Sequence, residues 1–134
     1  MENAIYMIKN LDINRINRDS PLDKWFYEMV QKNVDELTLK DISRMLRQEI
    51  YLDIALPIAC KMVLSDPFCG EMYVGEMIEL LKRVYISYPN KKEKKFFTEL
   101  IQKIQQQSET FDWGSDYEKE EYDKLIAQLK ALFK

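Results

Sequence analysis

Three glycines and four prolines are all that interrupt the 134 residues of this chain, while Leu, Ile, Met, Lys, Glu and Gln abound. A β fold of this length needs many tight turns, and tight turns draw on glycine and proline. High helix propensity with few breakers gives long helices joined by short connections instead. The length matches one ordinary domain that buries its own core without disulfide or metal staples. The sequence therefore reads as all-α, a compact single-domain bundle of about five to six helices over residues 1–134.

Start and stop signals place these helices. Residues 1–19 stay open between a short helical face (Ile5, Ile8, Leu11) and a poorly ordered segment rich in Asn3, Asn10, Asn14 and Asn17. Ser20-Pro21-Leu22-Asp23 then offers a capping serine, a proline in the first turn and a carboxylate three residues on. The helix predicted from it runs to about Asn33, with Leu22, Trp25, Phe26, Met29 and Val30 on its apolar face.

In the stretch LTLKDISRMLRQEIYLDIALPIAC, residues 37–60, Thr38 and Asp41 form a second cap and Leu37 with Ile42 a hydrophobic staple. Its stripe takes Leu39, Ile42, Met45, Leu46 and either Glu49 or Ile50, while Arg44, Arg47 and Gln48 turn away. A third helix is expected from Leu52 to Leu64, with Leu56, Ala59, Cys60, Val63 and Leu64 inward. Inside that helix Pro57 would cost about 3 kcal/mol, and at the start of its main body almost nothing. Asp66-Pro67 closes it.

FCGEMYVG, residues 68–75, reads as a loop, followed by a helix from Glu76 to about Ser87. After Pro89-Asn90 a long helix runs from Lys91 to about Gln107, turning Phe96, Phe97, Leu100, Ile101 and Ile104 inward. The loop TFDWGS leads to a last helix whose apolar set is Tyr117, Tyr122, Leu125, Ile126, Leu129, Leu132 and Phe133.

Chemistry is scarce. Histidine is absent, which removes the usual general base, the commonest metal ligand and every His-dependent triad. The serines stand in no nucleophile elbow, and three glycines build no phosphate cradle. Cys60 and Cys69 match neither a redox pair nor a zinc knuckle and read as two reduced, mostly buried thiols. Glu76 with Glu79, and Glu118 with Glu121, lie one turn apart, but without histidine they read as solvated faces. No enzyme, cofactor or metal site is expected.

A net charge of −3 and a pI near 5.1 argue against a dedicated nucleic-acid binder. KKEKK, residues 91–95, is the one basic cluster and reads as a solvated face. No apolar run reaches membrane-spanning length and no signal peptide is evident, so a cytoplasmic protein is expected. The acidic tract Glu109 to Asp123, interleaved with Phe111, Trp113, Tyr117 and Tyr122, is more suggestive. Part of it complements a helix N-terminus; the rest suits a surface that steers and anchors a basic protein. Glu71, Met72, Tyr73, Glu76 and Glu79 form a second patch of the same character. The residues singled out for partner binding are Glu71, Tyr73, Glu76, Glu79, Asp112, Trp113, Asp116 and Glu120.

LTLKDISRMLRQEIYLDIALPIAC, followed by DPF and EMYVGEM, resembles the immunity proteins of bacterial contact-dependent growth inhibition systems. Thr38 and Asp41 match that family's cap, Leu46 and Gln48 its helix end, and Leu52 and Pro57 its next helix. Pro67 matches the break, and Tyr73 with Gly75 the start that follows, so the likeness spans about residues 25–85. Several members carry glycine where Tyr51 stands and Pro-Gly in place of Val74-Gly75. The resemblance implies a helical antidote that binds the C-terminal domain of a toxin, commonly a nuclease and here expected to be of tRNase type, and blocks it in the cytosol. The alternative is a helical adaptor or regulator that binds another protein, or RNA through KKEKK.

Overall fold

The computed structural model of the protein describes residues 3–87 and 94–132. They contain seven α-helices: α1 (Ile5–Ile8), α2 (Pro21–Met29), α3 (Leu39–Gln48), α4 (Leu52–Ser65), α5 (Glu76–Ser87), α6 (Lys94–Gln107) and α7 (Asp116–Leu132). No strand occurs among the described residues, and the fold is all-α as composition demands. The chain divides into two units, residues 1–41 and 42–134.

The first unit is organised by caps. Ser20 Oγ accepts the Asp23 N–H at 3.0 Å and Asp23 returns the bond to the Ser20 N–H at 3.4 Å, which starts α2 as expected. The helix ends at Met29, four residues short of Asn33, because the chain beyond it serves α1. The carbonyls of Val30 and Lys32 accept the N–H groups of Tyr6 and Ile5 at 2.8 and 2.9 Å, satisfying amides that a one-turn helix leaves open. Ile5, Met29 and Val30 are fully buried in this arrangement, and Trp25 nearly so. Part of the segment left undecided between helix and disorder is thus the short helix α1.

Asp41 closes this unit. It forms the predicted box with Thr38, at 3.0 and 3.2 Å. Its carboxylate also accepts the indole N–H of Trp25 at 2.9 Å and pairs with the Lys32 ammonium at 2.6 Å. Burial alone would raise the Asp41 pKa, but Lys32, the Thr38 amide and Trp25 together hold it below the ordinary carboxylate value.

In the second unit α3 ends in a Schellman turn: the Ile50 N–H bonds the Met45 carbonyl and the Glu49 N–H bonds that of Leu46. Glu49 occupies the left-handed position at φ 52°, exposed, which removes it from the expected stripe and leaves Ile50 as the apolar member. Tyr51 is left-handed too, at φ 47°, a backbone that glycine adopts more readily.

Pro57 lies inside α4, not at its start, and the helix runs unbroken from Leu52 through it to Ser65. The buried face of α4 is Ala55, Ala59 and Val63, small enough to let α5 and α6 approach closely, while Leu56, Cys60 and Leu64 are only half buried. The Lys103 ammonium on α6 donates to the Leu64 carbonyl, a cation at the negative end of α4. Asp66 then caps the Phe68 N–H at 3.1 Å ahead of the loop.

Phe97, Leu100 and Ile104 of α6 are buried as predicted, with Phe96 and Ile101 half buried. On α7 the buried set is Tyr122, Leu125, Ile126 and Leu129. Tyr117, expected inward, is 70% exposed, because it falls in the first turn on the face opposite Ile126 and Leu129. Leu132 is also exposed. Phe133, Pro89-Asn90 and the first three residues of KKEKK lie outside the described residues.

A depressed carboxylate stabilises the fold above its unfolded pKa and loses that contribution as pH falls through its folded value. Asp41 should therefore make unfolding easier as pH drops below about 4. Urea titrations from pH 7 to pH 2, followed at the Trp25 indole N–H resonance, test this. The Asp41→Asn variant should be weaker at pH 7 by about 1.5–3 kcal/mol and lack part of the acid-dependent loss. Parallel pH curves for the two proteins would contradict this role.

Candidate functional site

The loop 68–75 and α7 meet where Gly75 faces the ring of Tyr122. Gly75 sits at φ 85°, and a Cβ there would stand 2.7 Å from Cδ1 of the Tyr122 ring. A Cβ on Gly70 would lie 2.3 Å from the Tyr73 carbonyl oxygen. The buried Tyr122 hydroxyl donates to the Pro67 carbonyl at 3.2 Å, and burial raises its pKa so that the donated proton stays in place. Around it Phe68 stacks on Phe111 at 4.0 Å between centroids, and Trp113 packs on Tyr122 at 5.2 Å. Such pairs contribute about 0.5–1.5 kcal/mol each beyond area burial.

Glu76 organises the loop from the other side. It is 3% exposed, so the reading of Glu76 as part of a solvated face is corrected. One carboxylate oxygen accepts the N–H groups of Glu71 and Met72 at 2.8 and 2.9 Å, and the other faces Arg47 Nε at 3.5 Å. Glu76 thereby satisfies two amides where the loop turns, and a carboxylate at the first residue of α5 also suits the helix N-terminus. Glu71 is tied to Arg44 and Arg47. Its partial burial alone would raise the carboxyl pKa, but the two guanidinium groups hold it below its ordinary value.

These supports leave a groove of about 450 Å³ between the loop and α7. Tyr73, Val74 and Glu79 form one wall, and Ser115, Tyr117, Glu118, Glu121, Tyr122 and Leu125 the other. All its ionisable lining groups are carboxyls or phenols. Glu79 pairs with Arg83 of the next turn at 2.7 Å, and burial, with the Glu79 carboxylate nearby, pushes the Tyr73 phenol up to about 12. Glu118 accepts the Gly114 N–H at 2.9 Å, and Ser115 Oγ accepts the Glu118 N–H at 3.1 Å, a cap that fixes the start of α7. Glu121 is approached by Lys124 at 3.3 Å. Met72, Tyr73 and Tyr117, three of the exposed large apolar side chains, lie on or beside the groove.

The eight sequence-selected residues fall into three groups. Tyr73 and Glu79 line the groove. Glu71, Glu76 and Trp113 support its walls, Trp113 half buried with its indole N–H on the Ser108 carbonyl at 3.1 Å. Asp112, Asp116 and Glu120 are exposed and stand outside the lining. The selection missed Tyr117, Glu118 and Glu121. The signal was present: Glu118, Glu121, Tyr122 and Leu125 follow the i, i+3, i+4, i+7 spacing of one helix face, whereas Asp116 and Glu120 fall off it.

A family model described as CDI immunity proteins matches residues 7–104. The chain belongs to the CDI immunity proteins. No curated protein and no solved structure gives a match. The matched residues of the immunity protein include the loop and Glu79, and the α7 wall follows them in sequence. Among the described residues no helix is long and apolar enough to cross a membrane, and no cluster of His, Cys, Asp or Glu could hold a metal ion. Neither cysteine forms a disulfide, and both are half buried, more accessible than expected. Burial, with Asp66 nearby, pushes the Cys69 thiol up to about 11, which leaves it protonated near neutral pH.

Gly75→Ala should cost about 2–4 kcal/mol, combining left-handed strain with a clash on the Tyr122 ring. Gly114→Ala should be nearly neutral, since the nearest atom to its Cβ would be a Glu118 carboxylate oxygen at 3.5 Å, an ordinary contact distance. Chemical denaturation compares the two; equal losses would refute the Gly75–Tyr122 contact as a structural lock.

Proposed function

We propose that this immunity protein neutralises a cognate toxin domain in the cytoplasm by binding it as a stoichiometric inhibitor, with no catalytic step of its own. The observation that carries the reading is the groove between the loop and α7, where both acidic and aromatic stretches of the sequence converge. Its floor and walls are held by Glu76, Gly75 and Tyr122, so little ordering remains to be done on binding. Aromatic side chains at its rim supply rigid buried area, and the carboxylates supply steering toward positive charge.

The toxin class that fits is a basic nuclease, of tRNase type, whose substrate groove is positively charged. A protein with net charge −3 and acids gathered around a groove competes for such a surface, as a polyanionic substrate does. Asp112, Asp116 and Glu120, outside the groove, add to long-range attraction, and Glu71 contributes at the loop edge while bound to its two arginines.

Two double reversals of equal charge separate contact from steering. Glu118→Lys with Glu121→Lys, inside the groove, should raise the Kd for the cognate toxin domain by about 30-fold or more and abolish protection on co-expression. Asp112→Lys with Glu120→Lys, outside it, should mainly slow association and change Kd about threefold or less at physiological salt. Equal effects of the two pairs, or no effect of the first, would place the toxin elsewhere.

A further inference from the structure

One carboxylate of the groove is already paired with a cation of the protein itself. Glu79 lines the wall formed by α5, and Arg83, one turn further on, reaches back to its carboxylate at 2.7 Å. Arg83 does not line the groove, and its side chain is 61% exposed against 28% for Glu79. Tyr73, whose ring edges the cavity, stands on the same wall as that carboxylate. Opposite stand Tyr117, 70% exposed, and the carboxylates of Glu118 and Glu121. A space of about 450 Å³ with aromatic edges and three carboxylates has the dimensions and polarity for the aliphatic stem and cationic head of a long basic side chain.

Resting on the toxin-binding reading, we infer that the groove takes one lysine or arginine side chain of the partner, its stem between Tyr73 and Tyr117 and its head against Glu79, Glu118 and Glu121. Arg83 then competes with that head for Glu79. An exposed i,i+4 pair is weak, so the competitor yields readily, yet it keeps Glu79 from standing alone in the unbound protein. The carboxylate exchanges one cation for another.

This arrangement predicts an effect of unusual sign. Arg83→Gln should tighten binding of the catalytically inactivated toxin domain by about two- to fivefold, because Glu79 no longer has a partner to give up. Lys61→Gln, which removes one positive charge from exposed α4 surface outside the groove, should change Kd less than twofold. Glu79→Gln should weaken binding, and in the Glu79→Gln/Arg83→Gln double variant the gain from Arg83→Gln should vanish. Isothermal titration calorimetry at fixed salt measures all four, with thermal melts to verify folding. If Tyr117→Ala and the Glu118→Lys/Glu121→Lys pair leave Kd unchanged, the toxin-binding reading of the groove fails and this inference with it. If they weaken binding while Arg83→Gln weakens it too, or matches Lys61→Gln, only the competition of Arg83 for Glu79 is overturned.

Discussion

The contact between Gly75 and the ring of Tyr122 is the constraint on which the groove depends. A backbone at φ 85° with no side chain lets a buried tyrosine lie flat against the loop, and the tyrosine hydroxyl then reaches the Pro67 carbonyl. Two segments distant in sequence, the loop after α4 and the first turns of α7, are thereby held at a fixed separation. Phe68, Phe111 and Trp113 fill the space around that contact, which explains why so aromatic a stretch stands beside so acidic a one. Part of the aromatic content is structural, and only its outer members, Tyr73 and Tyr117, meet solvent in the groove.

Charge is divided in the same way. Glu76 is buried and engaged by two amides and Arg47, so its charge serves the loop. Glu71 stands between the two roles, neutralised by Arg44 and Arg47 at the loop edge. Glu79, Glu118 and Glu121 remain at the groove with weaker, more exposed partners, and weak partners are readily exchanged. An acidic composition thus resolves into carboxylates that hold the scaffold and carboxylates that face outward, and membership follows from burial and not from sequence position.

Much of the fold was legible because local rules and tertiary structure agree. The caps at Ser20 and Thr38, the stop at Asp66-Pro67 and the loop 68–75 stand where the sequence puts them. The failures have tertiary causes. The early end of α2 reflects carbonyls lent to α1, which no periodicity in α2 can announce. Pro57 is tolerated within α4, where the packing of Ala55, Ala59 and Val63 outweighs one lost hydrogen bond. Glu76 turned inward because the loop needed an acceptor, a demand set by chain reversal. At the groove, Tyr73 and Glu79 were visible as an exposed acidic and aromatic patch, whereas choosing Glu118 and Glu121 over Asp116 and Glu120 required the helix face.

The central claim is that the loop and α7 act as one surface for the toxin. Amide hydrogen exchange of the immunity protein, free and saturated with the toxin domain, tests it most directly. The account predicts that binding slows exchange together in residues 71–79 and 115–125, with smaller change in α4 and α6. Protection confined to α4 and α6, or to the first unit, with none in those two stretches, would contradict it.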